Sequence, residues 1–302
     1  MNFPASGSAG VVLLFRPGRY INSTKSNTNL SSGRFQLRML TNGNLILNTR
    51  NVLSGTPYVS YNRSDTLDDS NSTNSGERMI FGVTGYMYIL RRNGERFDLT
   101  SRGSLPFGDY YHRATLDSDG VFRQYYYPKN STSNTSWEVV WFKPDNICVN
   151  LVGRYDSGVC GFNNVCSFDG NRPSCECPQG FSLLDRNNPN GDCKPDFTPV
   201  CHEVESNNSG EMFDFIEFNN IDWVYGDYAY LEPSSEQSCK SLCLEDCFCA
   251  VAVYGDVICY MKRLPLSNGK KGFSGNAKAF VKYRTGDSPS QNPPRCPGEN
   301  KD

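Results

Sequence analysis

Residues 34–47 read Arg-Phe-Gln-Leu-Arg-Met-Leu-Thr-Asn-Gly-Asn-Leu-Ile-Leu. Apolar and polar side chains alternate from Arg34 to Leu40, the two-residue period of a strand with one buried face. Thr41-Asn42-Gly43-Asn44 breaks that period, and Asn-Gly tolerates the positive φ angles of a tight hairpin turn. Leu45-Ile46-Leu47 then resumes a strand. The same grammar recurs at residues 86–92, with a turn at Asn93-Gly94 and a return over 96–99. It recurs again at 110–116, with a turn at Asp117-Ser118-Asp119-Gly120 and a return over 121–127. Residues 137–142 add a further strand, and the polar run 64–77 reads as a surface loop. No amphipathic helix of useful length interrupts this pattern, so residues 1–145 predict an all-β domain.

Composition changes sharply after that. None of the 13 cysteines precedes Cys148, and all but Cys296 fall between 148 and 259. They form two groups of six: Cys148, Cys160, Cys166, Cys175, Cys177 and Cys193, then Cys201, Cys239, Cys243, Cys247, Cys249 and Cys259. Such density implies an oxidising compartment and two disulfide-stapled modules in tandem. Acceptor motifs for N-glycans at Asn22, Asn29, Asn62, Asn71, Asn130, Asn134 and Asn207 point the same way. Met1 leads into Asn-Phe-Pro-Ala-Ser-Gly, without the charged start and apolar run of a secretory leader, so the sequence reads as a fragment. The longest early apolar run, residues 11–15, is far below the roughly 20 residues that cross a bilayer. A net charge of −2 supplies no basic footprint for nucleic acid.

Within the second half, residues 213–218 and 221–223 have strand character. Ser234-Ser235-Glu236-Gln237 predicts a helix start, with Ser234 as N-cap and Gln237 closing a capping box. Cys239 and Cys243, four apart, then share one face of that helix. Strands are expected at 251–254, 258–264 and 277–283. The Pro-rich stretch 288–294 reads as a linker, and Cys296 beyond it has no partner by count.

Catalytic chemistry finds little support. His112 and His202 are the only histidines; one lies in a strand, the other beside a cysteine expected to be bridged. No phosphate-binding glycine loop, kinase catalytic loop or zinc-protease motif occurs. Asp117 and Asp119 form a carboxylate pair, but Asp-Ser-Asp-Gly between strands is turn chemistry first. Zinc would require paired Cys-x2–4-Cys knuckles, which the Cys160–Cys177 spacing lacks. Calcium would require about six oxygen ligands, whereas Asp145-Asn146-Ile147 offers one carboxylate. The expectation is a binding chain with no catalytic residues, metal or cofactor.

The runs 32–37 (Ser-Gly-Arg-Phe-Gln-Leu), 42–47 (Asn-Gly-Asn-Leu-Ile-Leu) and 113–125 (Arg-Ala-Thr-Leu-Asp-Ser-Asp-Gly-Val-Phe-Arg-Gln-Tyr) resemble the bulb-type (G-type) lectin domain of plant S-domain receptor-like Ser/Thr kinases. The lectin-receptor-kinase branch is the nearer match, and the resemblance continues through the cysteine block to Arg284. It implies a mainly β chain: a β-prism, bulb-type lectin-like domain at 1–145, an EGF-like module at 146–195, a PAN/apple-like α+β module at 196–285 and a tail at 286–302. Spacing alone leaves fifteen pairings for six cysteines. The resemblance implies Cys148 with Cys166, Cys160 with Cys175, Cys177 with Cys193, Cys201 with Cys247, Cys239 with Cys259 and Cys243 with Cys249.

The family's mannose motif, Gln-x-Asp-x-Asn-x-Val-x-Tyr, falls on Leu40, Asn42, Asn44, Ile46 and Asn48. Only Asn44 matches outright, which makes Asn42, Asn44, Ile46 and Asn48 the candidate contacts of a degenerate carbohydrate site. Each lost hydrogen bond there costs about 1–3 kcal/mol. Aromatic stacking on Tyr125, Tyr126 and Tyr127, or on Tyr86 and Tyr88, is the other route to a sugar or peptide face. The resemblance implies an extracellular ligand-sensing or dimerising region in a signalling receptor of plant defence, anchored at the plasma membrane in the parent protein, with the kinase elsewhere. Its expected partners are a carbohydrate or a protein or peptide ligand, and related receptors in a homo- or hetero-dimer, with no nucleic acid and no membrane insertion. Four rivals stay open: a secreted kinase-free binder or decoy, a functional mannose-binding lectin, a structural cell-wall glycoprotein and, last, a secreted enzyme that would use His112 or His202.

Overall fold

The computed structural model describes residues 3–5, 13–100, 109–130, 135–151, 158–197, 213–272 and 277–285. The chain divides into two compact units, Met1–Gly153 with Phe168–Pro173, and Arg154–Ser167 with Ser174–Asp302.

The first unit consists of three antiparallel sheets of four strands. The first sheet orders β3 (Tyr20–Thr24), β4 (Ser32–Met39), β5 (Leu45–Arg50) and β6 (Pro57–Arg63). The second orders β2 (Leu13–Phe15), β7 (Gly76–Phe81), β8 (Met87–Arg91) and β9 (Arg96–Asp98). The third orders β1 (Phe3–Ala5), β10 (Tyr110–Leu116), β11 (Phe122–Pro128) and β12 (Glu138–Lys143). The alternation read from sequence becomes a buried face: Phe35, Leu37 and Met39 from β4, Met87 and Ile89 from β8, Ala114 and Leu116 from β10. Strands β1, β2, β3, β6 and β7 were not expected: β1 and β2 are three residues long, and outward Asn, Ser and Arg side chains mask the period of the others.

The run 64–77 departs from the surface loop that its polarity suggested. Thr66 and Ser75 are both 1% exposed. Their hydroxyls are consumed internally: Thr66 Oγ1 donates to the Gly43 carbonyl at 2.7 Å, and Ser75 Oγ accepts from the Asp68 amide at 3.0 Å. Polar residues are buried here because each has a partner.

Among the described residues one turn geometry is used four times, at Leu40, Gly82, Arg91 and Asp117, and three of its glycines are seated on another sheet. Leu40, Gly82 and Asp117 each donate their amide to the carbonyl four residues on, and each carbonyl accepts from the amide three residues on, at 2.8–3.1 Å. Gly43, Gly85 and Gly120 occupy the fourth position with φ of +100°, +77° and +84°. A Cβ on Gly43 would lie 2.6 Å from the Gly76 nitrogen in the second sheet; on Gly85, 2.5 Å from His112 Nδ1 in the third; on Gly120, 2.6 Å from the Phe35 ring in the first. Each of these three turns is therefore seated on the next sheet, and the third returns to the first. The glycine carbonyls complete the lock, accepting from Thr66 Oγ1 (2.7 Å), Gln124 Nε2 (2.6 Å) and the Tyr61 hydroxyl (2.6 Å).

In the second unit, β13 (Val165–Asp169) pairs in parallel with the long β20 (Ile258–Lys271). The sheet order is β14 (Arg172–Glu176), β13, β20, β19 (Val251–Gly255), β21 (Lys278–Arg284) and β17 (Phe213–Asn219), with β18 (Ile221–Leu231) also on β20. Strands β15 (Phe181–Leu183) and β16 (Cys193–Pro195) form a separate ladder. Trp223 is fully buried and shares one core with Val165, Phe181 and Cys193 as well as Val251, Leu266 and Val281. Both cysteine-rich stretches thus contribute to the same core.

Helix α1 (Ile147–Asn150) is a single turn capped by Asn146, and α2 (Glu236–Glu245) is the one extended helix among the described residues. The N-cap of α2 is Ser235, whose Oγ accepts from the Ser238 amide at 3.1 Å, rather than Ser234. Gln237 is exposed and has no capping part, because shifting the cap by one residue moves the third helical position to Ser238. At the other end Lys282 Nζ donates to the carbonyls of Cys243, Leu244 and Asp246 at 3.0–3.1 Å. A cation there satisfies orphan carbonyls and opposes the helix dipole.

Cys239 and Cys243 point into the core from one face of α2 and bridge to Cys259 and Cys249. Cys160 bridges to Cys175, and Cys177 to Cys193. Cys148, Cys166 and Cys247 are also in disulfides. Cys201 and Cys296 lie outside the described residues.

Two glycines with similar φ separate the cost of backbone conformation from the cost of seating. Gly94 has φ +88° and open space around its Cβ position, whereas Gly120 faces the Phe35 ring. Gly94→Ala should cost about 1–2 kcal/mol, the left-handed penalty alone. Gly120→Ala should cost a further ~1–3 kcal/mol for overpacking, read as a larger drop in urea midpoint.

Candidate ligand pocket

The repeated turn makes positions at equal distance from each turn glycine equivalent, so one site can be compared in three sheets. In the first sheet lie the four residues expected to contact a sugar. Asn42 is exposed in the turn, and its Oδ1 accepts from the Asn44 amide at 3.2 Å. Asn44 is buried, its Oδ1 accepting from the Thr66 amide at 2.9 Å and from Ser64 Oγ at 3.4 Å. Ile46 is half-buried. Asn48 is fully buried and donates to the Thr49 carbonyl at 2.7 Å. It stands opposite Gln36 in the ladder, and Gln36 in turn donates to Asn22 Oδ1 at 2.9 Å. The structure does not gather these amides around one opening; all three hold the protein's own backbone.

By the same count Asn42, Asn44, Ile46 and Asn48 correspond in the third sheet to Asp119, Val121, Arg123 and Tyr125, and Leu40 corresponds to Asp117. Arg123 has no exposed side chain and donates to Asp117 at 2.7 Å and to Asp119 at 2.8 Å. Its other terminal nitrogen donates to the Asn171 carbonyl, and the Tyr125 hydroxyl donates to Asp117. Burial raises the Asp117 carboxyl above its ordinary range despite these donors. Burial, and then the Asp117 hydrogen bond and charge, push the Tyr125 phenol up to about 12. The carboxylate pair is thus a buried ion cluster filled by its own arginine, more than the simple turn its sequence indicated.

In the second sheet the matching positions carry Tyr86 and Tyr88. Their rings stack at 5.1 Å, the Arg96 guanidinium lies 4.8 Å from the Tyr88 ring, and the Tyr86 hydroxyl donates to Asp98. Tyr126 and Tyr127 of β11 are engaged with Tyr110 and Trp137 at 5.3 and 5.5 Å.

A cavity of about 240 Å³ opens where the last strands of all three sheets meet. Strand β6 and its end contribute Asn62, Arg63 and Ser64; β9 contributes Phe97 and Asp98, followed by Leu99; β12 contributes Trp141 and Lys143. The floor is Leu37, Leu45, Leu47 and Phe122, with Ile46 beside them. Trp141 is held edge-on to Phe122 at 5.9 Å and 88°. Lys143 is paired with Asp145 at 2.9 Å. Apolar walls with a rim of amide, carboxylate and cations suit a ring that has one apolar face and several hydroxyls or amides. No histidine or cysteine lines the cavity. The individual strands are legible in sequence, but nothing in their pattern reveals that three sheet edges converge.

His112 is 2% exposed, beneath Gly85; burial, and then the charge of Lys129, lower its pKa. His202 lies outside the described residues, as do Asn134 and Asn207. Asn29, Asn71 and Asn130 are exposed, and Asn22 and Asn62 are half-buried. The side chains of Asn29 and Asn71 are held by their own motif hydroxyls, from Ser31 at 2.6 Å and Thr73 at 2.7 Å. Among the described residues no group of three His, Cys, Asp or Glu side chains could hold a metal ion, and no helix is long and apolar enough to cross a membrane.

Residues 97–184 match the S-locus glycoprotein domain. The chain is 41% identical over 269 residues to G-type lectin S-receptor-like serine/threonine-protein kinase LECRK4 of Oryza sativa subsp. indica, covering 88% of this chain and 33% of that protein. It is 38% identical over 282 residues to LECRK3 of the same subspecies, covering 90% and 34%. It is 33% identical over 284 residues to RLK1 of Arabidopsis thaliana, covering 88% and 32%. The chain therefore spans about a third of the length of the curated relatives it matches. Among solved structures, the Japanese Marasmius oreades lectin aligns with 45% of this chain and 92% of its own, at 16% identity and a TM-score of 0.24.

Arg123→Met leaves Asp117 without its cation and Asp119 with only the exposed Arg172 at 3.8 Å, and should cost about 3–5 kcal/mol in urea unfolding. A raised phenol pKa in the folded state contributes stability that is complete below the unfolded value near 10. Alkaline titration should therefore destabilise the fold from pH 10 toward about 12, and Tyr125→Phe should flatten that part of the curve.

Proposed function

Because the chain belongs to the plant G-type lectin S-receptor-like kinase family, we propose that it is an extracellular region that acts by binding a carbohydrate or a peptide ligand. Phosphoryl transfer belongs to a separate kinase part of the longer relatives. The observation that carries this reading is the cavity where Trp141, Phe97 and Asn62 meet at three sheet edges. Its walls are side chains on strands, so the binding geometry is preformed and little ordering entropy opposes association. The bridged, glycan-acceptor-rich chain fits an oxidising exterior. The cysteine-rich stretches, EGF-like at 146–195 and PAN/apple-like at 196–285, supply a surface for pairing with related receptors. Simple mannose recognition through Asn42, Asn44 and Asn48 is disfavoured by the internal hydrogen bonds of Asn44 and Asn48.

The test is calorimetric titration of the disulfide-intact protein with oligosaccharide and peptide panels. Trp141→Ala should weaken the strongest ligand about tenfold, the loss expected for an aromatic contact worth ~1.4 kcal/mol. Undiminished binding by Trp141→Ala, with loss on Asn42→Ala, would move the site to the β4–β5 turn. Silence across both panels would favour a structural glycoprotein.

A further inference from the structure

Asn62 has two roles on the same few atoms. It lines the cavity, and it heads the acceptor motif Asn62-Arg63-Ser64. It lies on β6 beside the fully packed Tyr61, half-buried, across the ladder from Leu47. Among the described residues no hydrogen bond engages its side-chain amide, in contrast to Asn22, Asn29 and Asn71. Ser64, the motif hydroxyl, accepts from the Leu45 amide at 2.9 Å in the folded chain. That engagement closes only on folding, whereas the nascent extended chain presents both motif residues. The cavity, at about 240 Å³, lies below the roughly 300–1,000 Å³ of drug-sized sites and suits a single ring. Trp141 and Phe97 supply apolar faces of the kind on which a sugar ring packs, and Asp98 and Lys143 supply polar partners on the rim.

We infer that Asn62 carries an N-glycan whose first sugar roofs this cavity, so that the modification of one residue sets whether a free ligand can enter. The inference rests on the secretory reading given above. It is independent of what the ligand is, because the roof is part of the protein itself. A sugar tethered at the cavity wall has a high effective concentration there, so a free ligand must displace it.

The full chain, secreted from a eukaryotic host, is digested and mapped by mass spectrometry for glycan occupancy at each acceptor. Hydroxyl-radical footprinting then compares Trp141 in the untreated protein, in the folded protein after enzymatic glycan removal, and in Asn62→Gln. Trp223, buried in the other unit, is the internal control for folding. Asn62 should be occupied, and Trp141 should oxidise several-fold faster after glycan removal and in Asn62→Gln, with Trp223 unchanged. Glycans at Asn29 or Asn71 with Asn62 bare would overturn this inference alone, as would an occupied Asn62 with Trp141 equally accessible in all three samples. A chain bare at every acceptor would overturn the secretory reading with it. Should Asn62→Gln fail to fold, the deglycosylated wild-type protein gives the same comparison.

Discussion

Three missing methyl groups hold the first unit together. Gly43, Gly85 and Gly120 each present a bare Cα to the neighbouring sheet at distances that no side chain could occupy. The contacts run in a circle, so no sheet is terminal. A four-stranded sheet with one apolar face must cover that face, and the mutual burial of three such faces supplies the cover. Alanine at any of the three would force apart two sheets and, through the circle, disturb the third.

The second constraint is the cost of burying charge. Arg123, Lys262 and Lys282 are nearly inaccessible, and each is surrounded by oxygens. Arg123 has Asp117 and Asp119; Lys262 has Asp227 and, at 3.4 Å, Asp222; Lys282 has three helix-end carbonyls. An unpaired charge in these places would cost several kcal/mol. Polarity is likewise a poor guide to exposure in this chain: Asn48, Gln36 and Thr66 are also inside, Asn48 held by the adjacent Thr49 carbonyl, Gln36 by Asn22 and Thr66 by the Gly43 carbonyl.

Most of the first unit's strands were legible because their apolar residues alternate. Those of β4, β5, β8, β10 and β11 could be read residue by residue, and the fold class followed. Strands β3, β6 and β7 could not, since Asn22, Ser60 and Glu77 interrupt the period on the solvent side. The helix of the second unit was visible from its serines and cysteines, though its cap lay one residue later. The cavity was invisible, because its walls come from residues 62–64, 97–99 and 141–143, and only the closed ring of sheets brings them together. Resemblance drew attention to the β4–β5 turn, where the amides look like sugar contacts. The hydrogen bonds of Asn44 and Asn48 to the Thr66 amide and the Thr49 carbonyl give them another task.

The cavity's walls come from the outermost strand of each sheet, and the ring of turns sits elsewhere. Among the described residues β6, β9 and β12 each lack a neighbour on one side, so side chains there can be exchanged with little repacking behind them. One wall can change while two remain. A lineage built on this scaffold can therefore diversify what it recognises one wall at a time, without passing through an unfolded ancestor.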